Sequence, residues 1–267
     1  MQFPKFRFRT IPWSGTAASV VYGVVAGGVI AMLVFPLDPA DRQASGQTGV
    51  SSVQQVDGNA TARLRPPPPV ARFAELGDEP LSPYARHVAH WVADSRDNAQ
   101  HDFVIVDKKF AKLYVFDAQA RLRGASPILL GAAPGDDSVP GIGTRPLDDV
   151  RLEERTTPAG RFMAQRGLNS QGEDVVWVDY EAAVSMHRVR ATVRSERRLE
   201  RLASSTVDDN RISWGCINVP VAFFEQLVQP VFEQRKAVVY VLPEVKSVEG
   251  VFGSYDVAAR HGMPAPG

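Results

Sequence analysis

One cysteine, Cys216, stands in the stretch Ser213-Trp214-Gly215-Cys216-Ile217-Asn218-Val219-Pro220. A hydroxyl residue and a glycine precede it; apolar residues and a proline follow. Such a sequence suits a tight turn that presents a thiol, because glycine reaches backbone conformations closed to other residues. A thiol attacks carbonyl carbon as its thiolate, so it needs a base or positive surroundings. Of the five histidines, His187 is best placed to be that base. It ends the run Ala183-Val184-Ser185-Met186-His187, 29 residues before Cys216. His87 and His90 fall in a helical pattern and read as surface or packing residues. His101 opens a strand, and His261 lies near the C-terminus. A Cys–His pair needs a third group to orient the imidazole: an acid, an amide or a backbone carbonyl. The turn's backbone N–H groups, at Trp214, Gly215 and Cys216, suit the oxyanion of a tetrahedral intermediate. Together these features describe acyl transfer through a thioester. The bland alternative for a lone cysteine is a small buried hydrophobe.

The composition removes several other chemistries. Lys+Arg and Asp+Glu are both 30 in 267 residues, so the net charge is zero and no nucleic-acid footprint is present. One cysteine forms no internal disulfide. The scattered histidines give no zinc spacing, and nothing calls for a cofactor or metal.

The elements that must position the thiol are mostly short strands. Apolar or alternating runs at Phe103–Asp107, Ala111–Asp117, Ser126–Gly131, Val175–Tyr180, Ala183–His187 and Ala237–Leu242 predict an antiparallel sheet or sandwich. Asp107–Phe110 suits a hairpin turn. Residues 133–150, rich in Gly, Pro and Asp, predict a long loop near a functional face. Thr157-Pro158-Ala159-Gly160 turns into a further strand. Helical spacing predicts helices over 81–98, 193–204 and 220–232. Six arginines between 188 and 201 read as a solvated helix face, or more sharply as a basic rim for an anionic substrate.

The N-terminal part reads differently. Residues 1–15 carry Lys5, Arg7 and Arg9 and no acid. The 22 residues 16–37 are uncharged, about the length of a membrane-spanning helix. Positive charge before them and Asp38 and Asp41 after them predict an uncleaved single-pass inner-membrane anchor with its N-terminus in the cytoplasm. A cleaved signal peptide is the rival reading. Residues 38–80, with Pro66–Pro69, read as a tether. A helical segment at 81–100, a catalytic domain at 101–243 and a loosely held tail at 244–267 complete the expected organisation.

The order of these pieces resembles the L,D-transpeptidase catalytic domain of the YkuD type. A strand ending in Gly131 comes first, then Thr157-Pro158-x-Gly160-x-Phe162, a strand ending in His187, and Ser213-x-Gly215-Cys216-Ile217-Asn218. The resemblance covers residues 101–243. It implies a mainly β, mixed β-sandwich-like fold with a few helices, in the periplasm, acting on peptidoglycan stem peptides. It implies Cys216 as nucleophile, His187 as general base and the Arg188 backbone carbonyl as its orienter. It also implies a backbone oxyanion hole at Trp214, Gly215 and Cys216, and substrate contacts from Ser213, Asn218 and Trp214. The acyl-enzyme would pass to an amine, forming a cross-link. Water as acceptor would make the same site an L,D-carboxypeptidase or a wall amidase, and a non-catalytic peptidoglycan-binding module is the reading from another class. Three departures stand out. Trp214 replaces a histidine frequent in the family, Arg188 replaces a common Gly or Ser, and the His-to-Cys separation is longer than in many members.

Overall fold

The computed structural model describes residues 70–233 and 235–264, which fall within one compact unit, Leu64–Gly267. The expected anchor at 16–37 and the expected tether up to residue 69 lie outside the described residues. Among the described residues no helix is long and apolar enough to cross a membrane.

Among the described residues ten strands follow in chain order: β1 (Phe103–Asp107), β2 (Lys112–Phe116), β3 (Leu122–Pro127), β4 (Leu130–Gly131), β5 (Gly160–Leu168), β6 (Asp174–Asp179), β7 (Val184–Arg188), β8 (Arg211–Ser213), β9 (Ile217–Val219) and β10 (Ala237–Val241). Eight form one sheet in the order β3-β2-β1-β10-β5-β6-β7-β9, and β4 pairs with β8. The fold is therefore mainly β, but not purely antiparallel. β1 runs parallel to β10, β7 to β9 and β4 to β8. β1 and β10 lie at opposite ends of the domain sequence, so no local turn signal announces their pairing.

β5 explains how one sheet comes to look like a sandwich. Its first half pairs with β10 and its second half with β6. The two halves of the sheet thus share one core. Val104, Val106, Leu113, Val239 and Val241 from one half meet Val176, Val178, Met186, Ile217 and Val219 from the other. Side chains alternate along a strand, so the opposite faces of β1 and β10 carry Phe103, Ile105, Val238 and Tyr240. These pack against α1 (Pro83–Ser95) through Ala85, Val88, Trp91 and Val92. Ser82 caps α1 by accepting the Ala85 N–H at 3.0 Å, and Pro83 sits in the first turn, where a missing N–H costs nothing.

Four expectations need correction. The helix expected over 193–204 shrinks to α2 (Arg198–Ala203), preceded by a 3-10 turn at Arg194–Glu196. Of its expected apolar side only Leu202 is buried, while Val193 and Leu199 are exposed. The 220–232 helix forms, as α3 (Val221–Phe223), a π turn (Phe224–Val228) and α4 (Gln229–Val231). Pro230 has no N–H for the Gln226 carbonyl, and Gln229 reaches five residues back to Phe224 instead. The tail is not loosely held. Its helices α5 (Val248–Phe252) and α6 (Val257–Arg260) bury Val248, Val257 and Ala258. Tyr255 Oη donates to Asp94 on α1 at 2.8 Å. The chain before α1, expected as tether to residue 80, instead packs from Ala74 onward, with Glu75 bridged to Arg121.

Candidate active site

β7 and β9 build the site together. Val184 and Met186 of β7 and Ile217 and Val219 of β9 point into the core. By alternation, Ser185, His187, Cys216 and Asn218 share the opposite face. The parallel register pairs Met186 with Ile217 and His187 with Asn218, which sets Cys216 beside Ser185. A cavity of about 330 Å3 opens on this face, lined by His187, Trp214, Cys216, Leu147, Glu196 and Arg198 among others. A second cavity, of about 350 Å3, lies between α1 and α6, and His87 and His90 line that one. Burial lowers the pKa of His90, as do Arg86 and His87 nearby. Its Nδ1 accepts the Ala74 N–H at 3.1 Å, a packing role.

The imidazole of His187 is fixed from below. Its Nδ1 lies 2.8 Å from the Arg188 carbonyl. A carbonyl only accepts, so Nδ1 carries the proton and Nε2 is left as the basic nitrogen. The Arg188 side chain is engaged elsewhere, with Glu225 at 2.8 Å. Burial pushes the Cys216 thiol up, but the hydrogen bond and charge of His187, followed by bonds from Ser185, outweigh it, and the thiol lies below its ordinary value. Sγ also lies 3.6 Å from the Ala183 carbonyl.

The Cys216 turn is held by two hydroxyls. Ser213 Oγ accepts the Gly215 N–H at 3.1 Å and donates to the Cys216 carbonyl at 2.6 Å. Ser213 is buried and staples the turn, and it also lines the cavity beside Trp214 and Cys216. The Gly215 N–H is committed to that staple, which leaves the Trp214 and Cys216 N–H groups as the amides without an acceptor among the described residues. Gly215 has φ 124°, and a Cβ there would meet the Thr156 carbonyl at 2.8 Å. Only glycine fits this position. The second hydroxyl is Thr157, fully buried, which donates to the Gly215 carbonyl at 2.8 Å and accepts the Gly131 N–H at 2.9 Å. Gly131 is needed for the close approach, since a Cβ there would collide with the Arg155 carbonyl.

Asn218 is fully buried. Its Nδ2 donates to the Cys216 carbonyl at 3.3 Å, and its Oδ1 accepts from Arg198 at 2.6 Å. Arg198 pairs in turn with Glu196 at 2.6 Å. Trp214 lies under Arg155, whose guanidinium carbon is 3.3 Å from the ring centroid. The arginine-rich stretch is thus no bare basic rim. Arg188, Arg190, Arg197 and Arg198 each face an acid. Sequence reading missed Ser185 and Arg155, took Arg198 only as one of the rim arginines, and noted Thr157 without a role. Ser185 had one available signal, a polar residue two places before His187 and so on the same face of the strand. Among the described residues no group of three or more His, Cys, Asp or Glu could hold a metal ion.

No family model matches the sequence, and no curated protein matches it. Among solved structures, the chain is similar to the helical cell shape determining protein Pgp2 from Campylobacter jejuni, at 18% identity and TM-score 0.36 over 55% of this chain and 49% of that one. It is similar to an L,D-transpeptidase from Xylanimonas cellulosilytica, at 17% identity and TM-score 0.33 over 53% and 60%. A third is an Enterococcus faecium L,D-transpeptidase, at 15% identity and TM-score 0.29 over 53% and 50%. The chain spans about half the length of the solved chains it resembles.

Proposed function

We propose that this chain is a cysteine-dependent acyltransferase acting on peptidoglycan stem peptides, an L,D-transpeptidase. The observation that carries the reading is the Cys216 thiol held between Ser185 and His187, with His187 Nδ1 fixed by the Arg188 carbonyl. In the first half-reaction the proton of Sγ moves to His187 Nε2, and the thiolate adds to the carbonyl carbon of the donor peptide. The Trp214 and Cys216 N–H groups receive the oxyanion. Collapse expels the leaving amine, which takes the proton from the imidazolium and leaves a thioester. In the second half-reaction His187 Nε2 removes a proton from the acceptor amine as it attacks the thioester, and the thiol regains a proton. The buried Thr157 and Ser213 hydroxyls support the reading because they hold the turn rigid before substrate arrives. Residues 16–37 would anchor the chain in the inner membrane with this site in the periplasm.

Incubation of the full chain with a carbapenem, followed by mass spectrometry, tests the nucleophile. A covalent adduct on Cys216 that disappears in Cys216→Ala is expected. A folded protein with no adduct, or an equal adduct in the variant, overturns the assignment. Incubation with peptidoglycan tetrapeptides then reads the acceptor. Dimers mark a transpeptidase and tripeptides a carboxypeptidase.

A further inference from the structure

We propose that Ser185 is a second thiolate-holding group of the site: its hydroxyl donates a hydrogen bond to Cys216 Sγ and keeps the sulfur aligned with His187. The proposal rests on the reading of Cys216 as nucleophile, and it concerns a residue outside the Cys–His pair. Ser185 Oγ lies 3.6 Å from Sγ, within reach for sulfur. The contact follows from the backbone. In the parallel pair β7–β9, Met186 faces Ile217 and His187 faces Asn218, so the preceding residues, Ser185 and Cys216, are neighbours. Ser185 and His187 lie two apart on one strand and present their side chains on the same side. The sulfur therefore sits over a ledge of one hydroxyl and one imidazole, and Ser185 is 5% exposed, which keeps water from taking the hydroxyl's place.

The turn that precedes this strand gives the ledge a partner. Ala183 has φ 53°, a left-handed conformation that costs a non-glycine residue energy. Its carbonyl lies 3.6 Å from Sγ. A carbonyl accepts from a thiol and repels a thiolate. Two states follow. The protonated sulfur donates to Ala183, and the deprotonated sulfur, its proton now on His187 Nε2, accepts from Ser185. Attack on the substrate needs the second state, since only the thiolate is nucleophilic. The charged groups around this cavity are His187 on β7, and Arg190, Glu196 and Arg198 in the segment that follows it. Arg155 reaches the neighbouring Trp214 from the 133–156 loop. Among the described residues, none of these hydrogen-bonds or ion-pairs with Ser185, so a Ser185 variant leaves the surrounding charge in place.

Cys216 is the one cysteine of the chain, so iodoacetamide alkylation of the full-length protein reads a single site. Its rate is measured against pH for the wild type, Ser185→Ala, Ser185→Val and Ser185→Thr, with thermal melting of each. The wild-type midpoint is expected below the ordinary thiol value of about 8.5. Loss of the hydroxyl in Ser185→Ala is expected to raise the midpoint by about one pH unit, with Ser185→Thr close to wild type. Ser185→Val, which has the shape of threonine without its hydroxyl, is expected to follow alanine and serves where alanine melts early. A low wild-type midpoint that neither Ala nor Val moves overturns the role of Ser185 and leaves Cys216 as nucleophile. An ordinary midpoint in the wild type overturns both.

Discussion

Thr157 donates its hydroxyl hydrogen to the Gly215 carbonyl at 2.8 Å across 58 positions of sequence. The same oxygen accepts the Gly131 N–H at 2.9 Å. One side chain thus ties the end of β4, the start of β5 and the nucleophile turn into a single joint, out of contact with water. Thr157→Val keeps the shape and removes the hydroxyl. It strands a buried N–H and a buried carbonyl, each at a cost of about 1–3 kcal/mol. A loss of about 2–4 kcal/mol in denaturant unfolding is expected, with slower carbapenem acylation, while Thr157→Ser stays near wild type. Equal stability of the valine and wild-type proteins would mean that the joint does not depend on this hydroxyl.

Gly215 makes the same turn sensitive to a single methyl group. At φ 124° an alanine is strained, and its Cβ would press on the Thr156 carbonyl. Gly215→Ala is expected to shift the turn, pull Sγ out of line with His187 and abolish acylation. The stability loss is expected to be about 1–3 kcal/mol. The check is adduct formation by mass spectrometry beside circular dichroism. A folded variant that acylates at the wild-type rate contradicts the strain argument.

The Cys216 thiol has its pKa lowered, so its thiolate persists below the ordinary thiol range. The sign is that of an acid whose folded pKa is depressed. The extra stability of the thiolate is present above the unfolded value and is lost as pH falls through the folded one. His187→Gln removes the imidazolium that stabilises the charge. Its alkylation midpoint is expected to move up toward about 8.5, and acylation at neutral pH is expected to fall by about 10²–10⁴-fold with the fold intact. Wild-type rates in this variant would place the base elsewhere.

These residues also show what the sequence makes legible. The strands around the site, the glycine turn and the Cys216–His187 pairing follow from local pattern. β7 and β9 are short, and alternation says which of their side chains share a face. What escaped is long-range. Parallel pairing of β1 with β10 joins segments separated by most of the domain, and hydrophobic alternation looks the same for either partner. Thr157 reads as a turn residue until Gly215 arrives beside it. The tail at 244–267 looks polar and short of periodicity, yet its few apolar residues find α1. The arginines at 188–201 look like a charged helix face because Glu225 and Glu173, the acids of Arg188 and Arg190, come from other elements.

Below the site a buried ionic group sets its acid limit. Lys108 is fully buried and pairs with Asp136 at 2.9 Å and Glu244 at 3.4 Å, and it donates to the Thr157 carbonyl at 2.9 Å. Asp136 also accepts the N–H groups of Glu244, Val245 and Lys246. Burial pushes the Asp136 carboxyl up, but the Lys246 and Glu244 N–H groups, Lys108 and Val245 pull it down to about 2. A depressed carboxylate stabilises the fold above its unfolded value, near 3.9, and loses that contribution as pH falls toward 2. Lys108→Met leaves Asp136 buried without its cation, while Glu244 keeps Arg211, and a loss of about 3–5 kcal/mol at neutral pH is expected. Asp136→Asn is expected to destabilise the protein at pH 7 and to narrow its difference from wild type between pH 4 and pH 2, where the wild-type carboxylate itself takes up a proton. Because Lys108 also holds the Thr157 carbonyl, both variants are expected to slow Cys216 acylation before they unfold. Melting curves across that pH range, paired with carbapenem adduct rates at neutral pH, check both effects. A constant stability gap from pH 7 to pH 2 would remove Asp136 from the acid transition.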